Sequence, residues 1–326
     1  MELPSKIILL IGFQASTKSS FARDIQQKIS NAMIISNDTE RNKTINHLLT
    51  ITKKYIEEGK VVIIDNTNLT RILRKQWIDL ANQLQVKIDA HYFKTTLEEC
   101  QIRHLFRCYE TFGYIPQTGK LLDNQKHPHA FGPAALYAAR KSLEEPEKNE
   151  GFTTLIIRQV DSIVWNPAIY HQKALFLDID GTIRQTEHLP YKYPTSIEEV
   201  ELIRPIEQMR HKLEEFRAAG YQLIGLSNQS GISRGILTDE KVEQLFEKTR
   251  SLLGYTKKEF PILYCPHAAM PPSCFCRKPQ SGMAMDCIMK LHLNPLACLM
   301  VGDRKTDESM AKRLQIPYQD VALFWK

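Results

Sequence analysis

Twice along this chain a short apolar run ends in a chemically loaded loop and gives way to a helical pattern, and twice the alternation then continues. In the first half, strand-like runs at Lys6–Ile11, Ala32–Ile35, Val61–Ile64, 91–93 and 153–160 are separated by amphipathic stretches such as 21–29 and Ile45–Glu57. In the second half, runs at 174–177, 221–226, 261–264 and 296–301 repeat the arrangement, with much of 197–219 reading as one helix. Parallel strands need long crossovers, usually helical, so this alternation predicts an α/β protein with two doubly wound parallel-sheet domains. At 326 residues the chain is also long for a single core. The polar segment DSIVWNPAIYHQ at 161–172 separates the two runs, which predicts domains at 1–165 and 166–326.

Charge and cysteine usage narrow the classes. The formal net charge is +6, spread over both halves, which permits an anionic partner without demanding one. No stretch approaches the ~20 apolar residues of a membrane helix. The opening MELPSKIILLIG is a short apolar run flowing into a glycine-containing loop; it reads as a first strand and not a secretory leader, and predicts a cytoplasmic protein. Of seven cysteines, Cys265, Cys274 and Cys276 crowd together around His267, a pattern that points to metal before disulfide. Cys100, Cys108, Cys287 and Cys298 read as packing residues.

The stretch FLDIDGT at 176–182 places two carboxylates on one side of a strand end. Two like charges that close require a cation or a shared proton. Ser227 and Asn228 end the run YQLIGLS, Lys278 sits in CRKP, Asp303 ends LACLMVGD, and Asp307 follows in GDRKTD. In an open parallel sheet the chemistry gathers at the carboxyl ends of strands, so these distant segments are expected to converge. The residue types suit phosphoryl transfer: Asp178 as nucleophile, giving an aspartyl-phosphate, and Asp180 as acid and base. Asp178, Asp303 and the main-chain carbonyl of Asp180 would hold Mg²⁺. Ser227, Asn228, Lys278 and Asp307 would serve the phosphate, Lys278 offsetting its charge. DIDGT, SNQSG, RKP and GDRKTD resemble, in order, the four motifs of the haloacid dehalogenase superfamily of phosphohydrolases.

Cys265, His267, Cys274 and Cys276 supply three thiolates and one imidazole, enough to close a tetrahedral Zn²⁺ site beside Lys278. The arrangement is similar to the zinc loop of the histidinol-phosphatase and heptose-bisphosphate-phosphatase branch of that superfamily. Only residues 181–226 lie between Asp180 and Ser227, which leaves no room for a large cap over the site.

In the first half, GFQASTKS at 12–19 follows a strand and opens a helix. It approaches the phosphate-binding loop GxxxxGK[ST], with Gly12, Lys18 and Ser19 in place for ATP and Thr17 where the second glycine stands. Asp38 in SNDTERNK is a candidate general base for an acceptor hydroxyl. Asp65, Asn68 and Arg71 follow the third run, and Arg103 and Arg107 lie four apart on a helix, a spacing suited to a lid over triphosphate. Residues 118–132 read as a loop-rich second lid.

The phosphate loop, S-N-D-T, D-N-T-N and the Arg-bearing helix resemble the kinase domain of the polynucleotide kinase–phosphatase family, in which a P-loop kinase-like domain precedes an HAD-like one. That resemblance implies a bifunctional end-healing enzyme for DNA or RNA, an ATP-dependent 5′-hydroxyl kinase joined to a 3′-phosphatase. Tyr191, Tyr193 and Trp77 are then candidates for stacking bases, and Lys192 and Arg234 for backbone phosphates. The alternative is a phosphatase of a small sugar or metabolite phosphate fused to a degenerate kinase or nucleotide-sensing module.

Overall fold

The computed structural model describes residues 3–37, 40, 44–116, 131–270 and 274–326. Two five-stranded sheets form, each parallel throughout. The first is ordered β2-β3-β1-β4-β5, from β1 (Lys6–Ile11), β2 (Ala32–Ile35), β3 (Val61–Ile64), β4 (Lys87–Lys94) and β5 (Thr154–Gln159). The second is ordered β10-β9-β6-β7-β8, from β6 (Lys173–Leu177), β7 (Tyr221–Asn228), β8 (Ile262–Cys265), β9 (Leu299–Gly302) and β10 (Tyr318–Asp320). In each sheet the first strand of the chain is central. The path then runs to one side and returns to the other, which opens a crevice at the carboxyl end of that strand. The two loaded loops, GFQASTK after β1 and DID after β6, therefore stand at the two switch points.

The central strands read as unbroken apolar runs because helices cover both faces of a parallel sheet. Ile7 to Ile11 and Val61 to Ile64 are buried almost completely, as are Ala174 to Leu177. Helices α1 (Lys18–Lys28), α2 (Ile45–Glu57), α3 (Arg71–Gln83), α4 (Leu97–Phe112) and α5 (Pro133–Ser142) accompany the first sheet in sequence. The second half contributes α6 (Ile206–Ala218), α7 (Ser230–Ser233), α8 (Asp239–Leu253), α9 (Gly282–Leu291), α10 (Lys305–Leu314) and α11 (Val321–Phe324). None of the described helices is long and apolar enough to cross a membrane.

The helix expected over much of 197–219 begins at Ile206, because Pro205 sits at the N-cap and the preceding stretch bonds back to Ile183 and Arg184. By contacts among the described residues, 3–104 groups with 135–163, and 105–116 and 131–134 with 164–326. Phe106 meets Trp165 edge-on at 6.4 Å, and Trp165 meets Tyr170 at 5.1 Å, which ties the end of α4 to the second unit.

Candidate functional site

In the first unit, the loop after β1 closes tightly around the Lys18 ammonium. Thr17, in the place of a glycine, is held at φ 69° and ψ 5°, the left-handed region that glycine enters freely. A β-branched residue there costs ~1–2 kcal/mol. Lys18 is buried and its Nζ lies over the loop, donating to the carbonyls of Gly12 (3.1 Å) and Phe13 (2.5 Å) and to Ser16 Oγ (3.2 Å). Gly12 passes so close to β4 that an added Cβ would lie 2.9 Å from the Phe93 carbonyl. Ser19, the second residue of α1, is half-buried.

Other residues expected around this loop are occupied. Arg103 donates to the Asp161 carbonyl and lies 4.0 Å from Glu99. Arg107 lies one turn further along α4, in the part that groups with the second unit. Asn68 is buried, donating to the Leu10 carbonyl at 2.7 Å and accepting from Trp77 Nε1 at 3.3 Å. Trp77 is thus a wholly buried core residue and not a base-stacking surface: burying an indole requires a partner for its N–H, and Asn68 provides it. Arg71 pairs with Glu147 at 2.5 Å. Asp38 and residues 118–130 of the expected lid lie outside the described residues.

In the second unit the segments do converge. Asp178 follows β6, and its carboxylate meets Lys278 Nζ through one oxygen and Thr182 Oγ1 at 3.4 Å through the other. Lys278 also pairs with Asp307 at 2.7 Å and donates to the Leu226 carbonyl at 2.6 Å. Burial pulls the Lys278 ammonium down, but the charges of Asp178 and Asp307 outweigh it and hold the pKa above its usual value. Asn228 clasps the Lys278 backbone from both sides, accepting from its N–H and donating to its carbonyl, each at 3.0 Å. Asn228 thus positions the cation here.

Asp178, Asp303 and Asp307 each offer one carboxylate oxygen within 4.8 Å of the others. Burial, then the charge of Asp178, pushes Asp303 up to about 7 and Asp307 up to about 6. One lysine does not neutralise three carboxylates, so the donor set fits a hard divalent cation such as Mg²⁺. Gly181 is required beside it: at φ 98°, an added Cβ would lie 2.7 Å from Asp303 Cγ.

Asp180 faces elsewhere with its side chain. Gln229 Nε2 donates to Asp180 Oδ2 at 2.8 Å and lies 2.7 Å from Ser227 Oγ, while Arg184 Nη1 donates to Oδ1 at 3.3 Å. Burial pushes the Asp180 carboxyl above its usual range against the pull of Arg184, which favours the protonated form that an acid needs. That arrangement leaves the main-chain carbonyl as the Asp180 group for a cation. The sequence reading missed Arg184 and Gln229. Gln229 lies inside the quoted SNQSG, where a role at Asp180 has no local signal, and Arg184 resembles any charged residue after a turn.

Beyond Cys265, at the end of β8, the loop folds back on itself. Sγ of Cys265 lies 3.7 Å from that of Cys274 and 3.2 Å from that of Cys276, and His267 Nδ1 lies 3.4 Å from Cys265 and 3.2 Å from Cys276. A tetrahedron with Zn–S bonds of ~2.3 Å has edges of about 3.7 Å, so the four donors are spaced for that ion. Hydrogen bonds from Cys265 and Cys276 push the Cys274 thiol down, while their own thiols are pushed up, so without an ion one proton-poor sulfur is shared among three. Cys100, Cys108, Cys287 and Cys298 are buried elsewhere.

Comparison with known proteins finds relatives for both halves of the chain. Residues 7–112 match the family model of an AAA domain, and residues 173–320 that of polynucleotide kinase 3 phosphatase. The chain is 35% identical over 141 residues to the D-glycero-beta-D-manno-heptose-1,7-bisphosphate 7-phosphatase of Haemophilus influenzae, spanning 41% of this chain and 73% of the relative. It is 35% identical over 146 residues to the enzyme of the same name from Escherichia coli K12, spanning 42% and 72%. A chain of a solved Pnkp1/Rnl/Hen1 complex aligns over 98% of this chain and 97% of its own, with 16% identity and a TM-score of 0.33. The chain is an enzyme: it belongs to the haloacid dehalogenase-type phosphatases, through a polynucleotide kinase 3 phosphatase domain related to the heptose-bisphosphate 7-phosphatases and preceded by an AAA domain.

Proposed function

We propose that this chain is a bifunctional nucleic-acid end-healing enzyme, a 3′-phosphatase joined to an ATP-dependent 5′-hydroxyl kinase. The observation that carries the reading is the order of domains, an AAA domain with a lysine-bearing phosphate loop ahead of a polynucleotide kinase 3 phosphatase domain. Two phosphoryl-transfer units of opposite sense are redundant on one position of a substrate, but complementary on the two ends of one break.

In the phosphatase half, an oxygen of Asp178 attacks phosphorus as the ester oxygen leaves, and Asp180 donates its proton to that oxygen. Asp180 then takes a proton from water, whose oxygen attacks the aspartyl-phosphate, releasing phosphate and regenerating Asp178. Lys278, fixed by Asn228, balances charge on the phosphoryl oxygens, and Ser227 offers its hydroxyl to them. Mg²⁺, held by Asp178, Asp303 and the Asp180 carbonyl with Asp307 behind, would neutralise the phosphate charge. Zn²⁺ on Cys265, His267, Cys274 and Cys276 would be structural, holding the loop that carries Lys278. In the kinase half, Gly12, Lys18 and Ser19 would hold ATP, and Asp38 would take the hydroxyl proton. Both activities suit a cytoplasmic protein.

The identity with heptose-bisphosphate phosphatases favours a second reading, hydrolysis of a small sugar phosphate beside a nucleotide-sensing module. Mass spectrometry of an oligonucleotide with a 5′-hydroxyl and a 3′-phosphate, incubated with protein, Mg²⁺ and ATP, separates the two. We expect gain of phosphate at one end and loss at the other, with Asp178→Asn stopping only the loss and Lys18→Ala only the gain. An unchanged oligonucleotide beside a hydrolysed sugar phosphate would establish the second reading.

A further inference from the structure

The phosphatase cleft, about 430 Å³, is bordered by an aromatic pair, Tyr191 and Tyr193, on either side of Lys192. Their rings stack, with centroids 5.8 Å apart and planes 23° from parallel. Lys192 between them is held at φ 60°. That left-handed conformation is unfavourable for an ordinary side chain and persists only where the surroundings impose it. Here they do. Lys192 donates through its backbone to Leu189 and through Nζ to the Glu187 carbonyl.

Tyr193 is the fixed lower ring. It packs so closely on Gly231 that an added Cβ would lie 3.0 Å from the phenol oxygen. That oxygen accepts from Arg234 Nη2 at 2.9 Å, and the guanidinium carbon stands 5.6 Å from the ring centroid. Tyr191 is the upper ring, and it is 48% exposed. An aromatic ring supported from below, reached through a strained residue and open above, is a surface prepared for another flat group.

The charges around it point the same way. Lys192, Arg234, Arg277 and Arg304 line the cleft in addition to Lys278. Lys278 is already balanced by Asp178 and Asp307, and Arg304 lies 3.6 Å from Asp303, so Lys192, Arg234 and Arg277 carry the excess positive charge. A nucleotide strand offers what this combination recognises, successive phosphates together with a base whose face stacks on an aromatic ring.

We infer that Tyr191, supported by Tyr193 and Arg234, is a stacking site for the nucleobase adjoining the phosphate that Asp178 attacks. The inference rests on the phosphatase reading above and names its substrate class as a nucleotide terminus. It is tested by kcat/KM for a 3′-phosphorylated oligonucleotide and for the same oligonucleotide lacking its terminal base. Stacking is worth ~1–3 kcal/mol per base, so the protein should prefer the base-bearing substrate by roughly 5- to 150-fold. Tyr191→Ala should abolish most of that preference, and Tyr191→Phe should keep it. Equal kcat/KM for the two substrates, or a preference that survives Tyr191→Ala, would overturn the stacking site while leaving a nucleic-acid phosphatase. Hydrolysis of a sugar phosphate with no action on either oligonucleotide would overturn both.

Discussion

Arg184, almost wholly buried, directs Nη1 to Asp180 Oδ1 at 3.3 Å and Nε to Thr249 Oγ1 at 2.7 Å, with its guanidinium 5.0 Å from the Phe246 ring centroid. Thr249 passes its own proton to the Leu245 carbonyl, so α8 holds the arginine and the arginine holds the acid. A buried guanidinium of this kind is a positioning residue: it fixes the carboxylate rotamer without touching substrate.

Arg184→Met should therefore lower kcat by about 10²-fold, the scale of a misplaced general acid, with KM little changed. Truncation also leaves Asp180 without its charged partner, with only Gln229 still donating to it, at a cost of up to ~3–5 kcal/mol. Arg184→Lys keeps the charge and should recover part of kcat. Steady-state kinetics on a phosphate ester decide it, and a KM rise without loss of kcat would contradict the assignment.

The cysteine cluster makes a metal-content prediction. Cys274→Ser should reduce bound zinc from about one ion per chain to near none by elemental analysis. Thermal stability should fall with it, because the described residues between β8 and α9 form no strand or α-helix that would hold Lys278. Wild-type protein purified without zinc, folded and active, would refute the site.

Thr17→Gly relieves a left-handed threonine worth ~1–2 kcal/mol, offset in part by the freedom glycine adds to the unfolded chain. A net gain of ~0.5–1 kcal/mol and a melting temperature higher by roughly 2 °C are expected. ATP affinity, measured by calorimetry, should rise as well. A destabilised Thr17→Gly protein would mean that the hydroxyl holds the loop.

His91 supplies a pH dependence. It accepts from Arg158 Nε at 2.8 Å through Nδ1, and burial followed by the Arg158 charge lowers its pKa to about 4. Between that value and the unfolded ~6.5 the unfolded chain binds the extra proton, so stability falls as pH drops through this window, by at most ~1.4 kcal/mol per pH unit. His91→Gln keeps an acceptor for Arg158 and removes the titration. Its denaturation midpoint should lose less than the wild type's between pH 6.5 and 4; identical slopes would show that other groups control acid unfolding.

The periodic features were legible in the amino-acid order. Apolar runs such as Lys6–Ile11 and Val61–Ile64 announce buried parallel strands, because both faces of such a strand are covered. The loops that follow β1 and β6 carry their chemistry in consecutive residues, so GFQASTK and DIDGT could be read without coordinates. The same holds for Cys265, His267, Cys274 and Cys276, whose crowding in sequence keeps them near one another in any compact loop.

What sequence order left open are contacts between distant segments, where burial and direction decide the role. Trp77 looked available to a base, yet the packing of α3 buries it completely. Asn228 reads as a phosphate ligand, but folding sets it 50 positions away in sequence against Lys278, where it secures the main chain. The end of α4 joins the second unit through Phe106 and Trp165. Arg184 and Gln229 find Asp180 only once β6, β7 and α8 have assembled. By itself the sequence determined the two sheets, the two loaded loops and the candidate metal ligands, because each is encoded by local periodicity or spacing. The tertiary structure alone decided which polar side chains are taken out of water together, because their pairing energy exists only when several elements exclude solvent at once.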